Sequence, residues 1–410
     1  MHSPFLRAVA LTAALLPAFA CAAPLTLGEA LDLAVRRSES TRSARAGAGS
    51  AAESARAAGQ LPDPTLQAGI DNLPVQGAGA FRTNGDSMTM KRIGISQEWA
   101  SSRKRGARQA AAGAVAARQD VLVQAAAADT RLQAAMAYVD AFWAGEALRL
   151  ATLAEHHADE ALEAAKARLS SASGGGQDVL ALASARGMAQ DESEDARQQR
   201  DDAAVALQRW VGRRFDDLDP PVLPPVPVED AYVARHPQVA AARLDVDVAR
   251  RAVTVAENER SADWTWQVSY GQRSGYPDMV SVGVSIPLQI APAQRQDRET
   301  ASKLALVDKA EADLAEAGRV ATAEYLALAG DAQRLRQRIE RYRTNVVAPA
   351  RQRTEAAVAG YASNATTLAT LFEARHAEVD AQRKLLSLER DLARTQARLA
   401  FKPLAEGDAP

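Results

Sequence analysis

The sequence contains two similar halves, and this duplication limits the possible folds more than any other feature. The run Ile93–Ser96 (IGIS) recurs as Val282–Ser285 (VGVS), 189 residues further along the chain. Earlier in each half the spacing is 198 residues, which relates Arg37-Ser38 to Arg235-His236. The first half therefore carries about nine extra residues between its two predicted strands. A repeat of this length indicates a duplicated subdomain, so the two halves should share one architecture.

The composition favours long helices in contact with one another. Aromatic residues make up only 5% of the 410 residues, while Ala, Leu, Arg, Gln and Glu are abundant. The net charge is −2, and basic residues are interspersed with acidic ones, so nothing favours nucleic-acid binding. Cys21 is the only cysteine, which excludes a disulfide within the chain and any cluster of thiolate ligands.

Residues 1–22 have the pattern of a secretory signal peptide. Arg7 supplies a positive start, Ala8–Phe19 is apolar, and small residues around Ala20 offer a cleavage site. The apolar stretch is too short to span a bilayer as a permanent helix, so we expect an exported mature protein. The residues before Cys21 differ from the Leu-small-small pattern that lipoprotein processing favours. Removal or an unmodified thiol is therefore preferred over lipidation of Cys21.

Two pairs of amphipathic strands are predicted, at 64–71 and 87–99 in the first half and at 262–271 and 279–288 in the second. The second pair alternates apolar and polar residues over about ten residues, the length with which a tilted strand crosses a bilayer. Two hairpins on a soluble core would show the same alternation. Four strands alone, however, cannot close a barrel and would leave exposed edges. Closure by several copies of the chain, together with the signal peptide, favours strands in a membrane.

A long helical hairpin is predicted after each strand pair, at 102–211 and 292–400. Apolar residues of the second outgoing helix recur at alternating spacings of four and three, as in a coiled-coil seam, and most matching positions of the first half agree. A continuous helix of about 68 residues would extend about 100 Å, so each outgoing helix is predicted to be a rod. The breaker-rich turns SSASGGG (170–176) and GYASNAT (360–366) would reverse the chain.

The remaining segments connect these elements. Residues 27–60 are predicted to form one helix before the first strand. Pro349 is predicted to kink or interrupt the second rod. The Pro-rich segment 219–229 should be an extended strap between the halves. Residues 402–410 should form a flexible tail.

The order of these elements resembles that of the TolC-like outer-membrane efflux proteins over essentially the whole mature chain, with repeats at 23–218 and 230–401. The runs LTLGEALDLAVRRS, AAGQLPDPTLQAGIDNLPV, MTMKRIGISQEWASSRKRGAR and VSVGVSIPL look most like the cobalt-zinc-cadmium and copper/silver branch, which serves metal-exporting pumps of the resistance-nodulation-division type. The resemblance implies a mainly α-helical fold with a membrane β-barrel, in which a homotrimer closes one twelve-stranded barrel and an α-helical periplasmic tunnel. It also implies a periplasmic adaptor (membrane fusion) protein, an inner-membrane pump and outer-membrane lipid as partners.

The turns of the two helical hairpins are the candidate gate, because the resemblance puts them at the inner end of the tunnel. Asp178 begins the first return helix, and three copies around an axis would form a carboxylate ring that favours cations. Stabilisation of the positive N-terminal end of that helix is an equally good explanation of Asp178. Gln177, Asn364 and Thr367 are the other pore candidates. Thr367 is the counterpart of Asp178, so the two turns differ in charge.

No catalytic, cofactor or metal site is predicted. The run SSASGGG lacks the Lys and the strand-to-helix context of a phosphate-binding loop. The adjacent His156 and His157 would point about 100° apart on a helix and would not face one metal ion. Met88 and Met90 share one predicted strand face and could offer thioethers to Cu(I), but ordinary packing is the preferred explanation.

Two charged clusters have surface interpretations. The acidic segment Asp191–Asp195 is interpreted as a solvated helix face, with a lumen lining as the alternative. The basic run Arg103–Arg105 would either anchor the periplasmic rim of the barrel or form a surface patch at a helix start.

Together these features and the resemblance predict a passive outer-membrane channel of a tripartite efflux system. Heavy-metal cations are the preferred cargo. Drugs or other organic molecules are the first alternative, since a wide duct need not bind what passes through it. A periplasmic coiled-coil adaptor or scaffold without a barrel is the alternative from another class, but an adaptor would normally have one helical hairpin rather than two.

Overall fold

The computed structural model describes residues 24–171, 175–363 and 365–405, which form long helices and one antiparallel sheet. The expected mainly α-helical fold class with a small β-region is confirmed. The helices are α1 (Leu27–Arg37), α2 (Glu39–Ala58), α3 (Ser102–Ser170), α4 (Gly176–Val211), α5 (Glu229–Ala234), α6 (Pro237–Glu259), α7 (Gln296–Tyr342), α8 (Ala348–Ala362) and α9 (Leu368–Phe401). The strands are β1 (Thr65–Asp71), β2 (Met90–Trp99), β3 (Trp264–Arg273) and β4 (Met279–Ser285).

The single helix predicted over 27–60 is two helices. Ser38 has an extended backbone (ψ 112°) between α1 and α2, and its Oγ accepts a hydrogen bond from the Thr41 N–H at 3.1 Å. The same hydroxyl lies 2.9 Å from Thr130 Oγ1 on α3. Ser38 therefore caps α2 and fixes the bend against the first rod, as a short hydroxyl side chain does at a helix start.

The strands also differ from the predicted bounds, for local reasons. β2 begins at Met90 rather than 87, because Asp86 forms a turn: its Oδ1 accepts the Met88 N–H at 2.7 Å and its carbonyl accepts the Thr89 N–H at 3.2 Å. Met88 and Met90 therefore do not share one strand face, since Met88 precedes the strand. β4 ends at Ser285, two residues before Pro287, which has no N–H to continue a ladder.

The four strands form one sheet in the order β1-β2-β3-β4, so the second half continues the sheet of the first. Gly94 of IGIS pairs with Ser269, and Ser269 pairs with Ser281. Both outer strands, β1 and β4, have one edge without a partner in the described part of the chain.

The first rod is α3, a single helix of 69 residues. Its middle is held by a buried tyrosine: the single O–H of Tyr138 is shared between the carbonyl oxygens of Leu25 (2.6 Å) and Asp219 (2.7 Å). Burial raises the pKa of Tyr138, so the phenol remains a donor. The contact ties the start of the described chain and the start of the Pro-rich strap to the same point of the rod. An apolar cluster around Leu27, Tyr138 and Leu207 surrounds it.

The second rod is interrupted before Pro349, as predicted, and the interruption has a defined form. α7 passes into a π-helix at Arg343–Val347 before α8 begins. The Ala348 N–H donates to the Arg343 carbonyl, five residues earlier rather than four. Because Pro349 has no N–H, the normal helical ladder cannot continue through it, and the wider turn takes up the difference.

The tail predicted to be flexible from 402 is ordered at its start. Leu404 is only 2% exposed and packs with Val121 and Ala240, and its N–H donates to the Arg235 carbonyl at 2.9 Å. The first residues after α9 therefore join α3 to the α5–α6 turn. Residues 406–410 lie outside the described residues.

Among the described residues, no helix is both long enough and apolar enough to cross a membrane.

Candidate pore, gate and membrane surface

The turn between α3 and α4 carries two of the predicted pore residues. Gln177 and Asp178 are exposed in the first turn of α4, and the Asp178 N–H donates to the Gly175 carbonyl at 3.2 Å. A Cβ added at Gly175 would lie 3.7 Å from Asp178 Oδ2, which places the carboxylate beside the start of the helix. This position suits both predicted roles of Asp178, since a carboxylate here meets the positive end of the helix and is also open to solvent.

The turn between α8 and α9 is built differently. Thr367 caps α9: its Oγ1 accepts the Thr370 N–H at 3.3 Å. The Gly360 carbonyl accepts the N–H groups of both Ala365 (2.7 Å) and Thr366 (3.2 Å). A side chain at Gly360 would meet Thr366 Cγ2 at 2.7 Å, so a larger residue here would force Thr366 to move. Thr367 is thus occupied as a cap, and Asn364 lies outside the described residues.

The ends of the two hairpins are packed on one another. Leu162, Leu182 and Leu371 belong to one buried cluster with Leu368 and Ala374, to which α3, α4, α8 and α9 all contribute. The guanidinium of Arg168, in the last turn of α3, lies 4.4 Å from the centre of the Tyr361 ring on α8. A cation over an aromatic face is attracted by the ring quadrupole, so this contact ties one hairpin tip to the other.

Charged contacts join the hairpins further from the tip. Arg383 of α9 forms an ion pair with Glu192 of α4, and the hydrogen bond from Arg383 lowers the pKa of Glu192. Arg375 Nη1 donates to the His157 carbonyl at 3.0 Å. The interpretation of Asp191–Asp195 as a simple solvated face is therefore wrong for Glu192, which is half-buried between helices.

The two adjacent histidines form surface contacts. His157 Nδ1 lies 3.2 Å from Glu160 Oε2, and His156 Nε2 lies 3.3 Å from Glu160 Oε1. The hydrogen bond from His157 and the charge of His156 lower the pKa of Glu160. His157 and His376 also line a groove of about 500 Å³ between the hairpins. Within the described ranges, no three His, Cys, Asp or Glu side chains are arranged to hold a metal ion.

The sheet has an inverted distribution of side chains: its apolar face is exposed and its polar face is partly covered. Along β3 the side chains of Trp264, Trp266, Val268 and Tyr270 are exposed, while the alternating polar residues are half-buried or buried. The register aligns Ile95, Val268 and Val282 on the apolar face. The polar face is linked by hydrogen bonds from Gln67 to Ser96 (3.3 Å) and from Gln267 to Gln67 (3.1 Å). A soluble sheet would bury the apolar face instead.

The junction between sheet and helices carries a buried charge cluster. Lys104 is only 3% exposed, and its Nζ lies 3.1 Å from Glu259 and 2.9 Å from Asp263. Arg108 contacts the same two carboxylates. Burial alone would raise the pKa of Glu259, but hydrogen bonds from Arg108 and Lys104 outweigh it and lower the pKa. The interpretation of Arg103–Arg105 as a surface patch is therefore wrong for Lys104, which joins the first rod to the second half.

Solved structures with a similar arrangement include outer-membrane proteins. VceC from Vibrio cholerae has a TM-score of 0.74 at 18% identity, covering 92% of this chain and 96% of that chain. The outer-membrane channel OprN has a TM-score of 0.76 at 16% identity, covering 94% and 91%. The MtrE channel from Neisseria gonorrhoeae, solved in its open state, has a TM-score of 0.72 at 16% identity, covering 92% and 88%. The chain has the TolC-like fold of these channels.

Among the comparisons, only the one with solved structures finds this fold. A comparison with protein-family models and one with curated proteins found no match. At identities of 13–18% the neighbours share only the arrangement of helices and strands with this chain. Any role of this fold in the present chain must therefore be argued from its own side chains.

Several residues of the site carry no recognisable sequence signal. Tyr361 stands in a breaker-rich turn, but nothing in the sequence pairs it with Arg168, which is 193 positions earlier. Lys104 lies in a basic run that is typical of surfaces, and its burial depends on two carboxylates of the other half. The inverted sheet, in contrast, has a signal, because the alternation in β3 and β4 is visible in the sequence.

Proposed function

We propose that this chain is the outer-membrane channel of a tripartite efflux system: a passive conduit that reaches from the outer membrane into the periplasm. The observation that carries the proposal is the inverted sheet. Its exposed apolar face suits lipid, and its hydrogen-bonded polar face suits a water-filled lumen. Exposed Trp99 and Trp264, which pair at the helix end of β2 and β3, suit the level of the lipid headgroups.

The proposed assembly is a homotrimer with a twelve-stranded barrel. Four strands with two free edges cannot cross a membrane alone, because every backbone group in lipid needs a partner. Three copies that pair β4 of one chain with β1 of the next leave no edge. Helices α4 and α7 support the same assembly. α7 exposes Leu304 and Leu326 and α4 exposes Val205, and neighbouring chains of a trimer could cover these apolar side chains. A periplasmic adaptor and an inner-membrane pump of the resistance-nodulation-division type are the proposed partners.

The channel proposal is tested by fractionation and conductance. The expressed protein should remain in outer membranes after osmotic shock, require detergent for extraction, and form ion-conducting pores in planar bilayers. Release of the protein as a soluble periplasmic species would contradict the channel and would favour a coiled-coil scaffold.

The proposed gate is the end formed by the two hairpin turns, with Asp178 as a carboxylate ring and Gln177, Asn364 and Thr367 around it. Asp178 is exposed in the first turn of α4, which supports this role. Asp178→Asn should reduce cation preference in single-channel recordings without loss of assembly, with Asp202→Asn, on an exposed part of α4, as a matched control. Unchanged selectivity would leave Asp178 as a residue that stabilises its helix.

Heavy-metal cations are the proposed cargo. This assignment is supported only by the resemblance of four sequence runs, such as VSVGVSIPL, to the metal-efflux branch of the family. Deletion of the gene should lower tolerance to zinc, cobalt, cadmium, copper or silver. Unchanged tolerance to all five metals, with increased sensitivity to organic compounds, would replace metals by organic molecules as the cargo while leaving the channel intact.

The geometry around Leu25 opposes membrane anchoring through Cys21, which lies outside the described residues. Leu25 is bound to Tyr138, about 54 Å along α3 from Ser102 at about 1.5 Å per residue. Four residues of extended chain reach at most about 14 Å. An acyl chain on Cys21 would therefore stay far from the level of the strands. Cys21→Ala should leave outer-membrane localisation unchanged, whereas release of the variant would contradict this.

A further inference from the structure

The polar face of the sheet carries an uneven charge at the end that points away from the helices. Asp71 pairs with Met90, and Met90 pairs with Arg273, while Arg92 lies two residues along β2 from Met90. Because side chains alternate between faces, all four residues project on the same face as the polar Gln67 and its neighbours. This end of the polar face therefore holds two arginines and one carboxylate.

The carboxylates at this end do not neutralise both arginines. Asp71 is engaged by Arg92, with Nε 3.3 Å from Oδ2. Asp278 accepts the hydrogen bond of the Tyr270 hydroxyl, which belongs to the apolar face. Asp86 accepts a backbone N–H of its own loop. Each of these acidic groups already has a partner other than Arg273.

Arg273 is left with neutral surroundings. Among the described residues it forms no ion pair, and its buried Nε has no hydrogen-bond partner. Its guanidinium lies 5.4 Å from the centre of the Tyr276 ring. Met90 fills the space over Gly271, where any side chain would collide with its Sδ, and a thioether offsets no charge. An unpaired guanidinium in such surroundings is suited to a carboxylate or phosphate partner.

We propose that Arg92 and Arg273 form a basic ring at the outer mouth of the pore, and that this ring makes the mouth favour anions over cations. The inference rests on the proposed trimeric channel, in which six arginines would face three Asp71 carboxylates. Fixed charges of one sign around a water-filled passage raise the local concentration of the opposite sign. The solutes favoured at this end are anions with carboxylate or phosphate groups, and the ring does not attract the metal cations that are proposed as cargo.

The test uses the full-length protein in planar bilayers with a KCl gradient and measures the chloride-to-potassium permeability ratio. The double variant Arg92→Gln with Arg273→Gln should lower this ratio about twofold at low salt, and the difference should shrink at about 1 M salt, where the screening length is about 3 Å. Arg273→Gln alone keeps the Arg92–Asp71 ion pair and should shift the ratio less, in the same direction.

Lys91→Gln is the matched control, because Lys91 is the neighbour of Arg92 on β2 and projects on the opposite, apolar face. It removes the same charge at the same level and should leave the ratio unchanged. Equal ratios for the wild type and the double variant at low salt would overturn the basic ring while leaving the channel intact. An equal shift in Lys91→Gln would overturn it as well. Absence of any pore from the wild type would contradict both the channel and the ring.

Discussion

The two outgoing rods have nearly the same length but differ in continuity. α3 runs for 69 residues without interruption, whereas the second rod consists of the 47-residue α7, a five-residue π-helix and the 15-residue α8. A tunnel wall of fixed length needs equal rods, but it does not need equal stiffness. The two copies therefore agree in length and register, while the second has a local weak point next to the proposed gate.

The interruption lies where bending would move a hairpin tip. It is followed by the single 15-residue helix α8, which leads to Tyr361 and the turn. Arg343, at its start, forms an ion pair with Glu389 of α9, so the return helix is held at the same level. We therefore expect the second hairpin to flex at the π-helix while α3 acts as a strut.

The largest effect is expected when the interruption is copied into the first rod. Glu160 is the position that matches Pro349. Glu160→Pro should destabilise α3 by about 3 kcal/mol, because proline removes a helical hydrogen bond and collides with the preceding turn. The midpoint of thermal unfolding, followed by helical circular dichroism in detergent, measures it.

Glu160→Ala is the control for this change, since it removes the histidine contacts but keeps the helix. If the proline and alanine variants unfold at the same temperature, the first rod tolerates an interruption and the comparison between the rods fails.

A smaller, opposite effect is expected when the interruption is removed. Pro349→Ala restores an N–H, so α7 and α8 can join as a regular helix, with a gain of about 1 kcal/mol. Amide hydrogen exchange at Arg343–Val347 should become slower. In bilayers, the variant should open less often.

Exchange at the matching residues 154–158 of α3 provides the internal reference, because Pro349→Ala leaves that segment unchanged. Unaltered exchange at the π-helix would show that its wider turn is imposed by packing against α9 rather than by proline.

The contact between the hairpin tips is expected to have a lesser effect. A double-mutant cycle of Arg168→Ala and Tyr361→Leu should give a coupling energy of about 0.5–1 kcal/mol, typical of a partly exposed cation–aromatic contact. Both single variants should raise the open probability of the proposed pore, because each removes a contact that joins the two tips beside the apolar cluster.

Arg351→Ala is a suitable control for the cycle. Arg351 is an exposed arginine of α8 whose contact is with Glu355 of its own helix. A coupling energy of zero, or an equal rise in open probability for Arg351→Ala, would remove the tip contact from the gate.

The sequence supports the fold well because the relevant signals are local. Alternation in Trp264–Tyr270 predicts an amphipathic strand, and the seam of the second rod predicts a long helix, since each pattern depends on neighbours within the same element. The interruption near Pro349 was predictable for the same reason. Its π-helical form was not, because a proline in a helical sequence can produce a kink, a break or a wider turn.

The site could be predicted only in part. Asp178 is detectable as an acidic residue at a helix start, a local property. Lys104, Arg168 and Arg273 look like ordinary surface cations in the sequence, and their environments come from residues far away in the chain. The boundary of the flexible tail fails similarly, because Leu404 is buried by α3 and α6 rather than by its neighbours.

The last contrast concerns Ser38 and His236, the matching residues that directly precede α2 and α6. Ser38 in the first half is held by hydroxyl groups, whereas its counterpart His236 is 1% exposed and lacks a hydrogen-bond partner for either ring nitrogen within the described residues. Glu324 Oε2 lies 3.4 Å from His236 Nε2, Lys402 lies 3.4 Å from the same carboxylate, and the Tyr232 ring is 5.8 Å away.

Burial is the main cause that lowers the pKa of His236, with Lys402 acting in the same direction and Glu324 opposing both. Since the folded-state pKa is below the usual value of about 6.5, the unfolded chain binds more protons as the pH falls. The free energy of unfolding of the wild type should therefore lose nothing through His236 above about pH 6.5. It should decrease as the pH falls below that value, because the buried imidazole then resists protonation. His236→Ser, which copies the first half, should flatten this dependence in unfolding midpoints measured at pH 5 and pH 8. His376→Ser, on an exposed face of α9, should not. If all three proteins lose stability equally at pH 5, the acid sensitivity comes from the ion pairs that both halves share, and the contrast between Ser38 and His236 has no effect on stability.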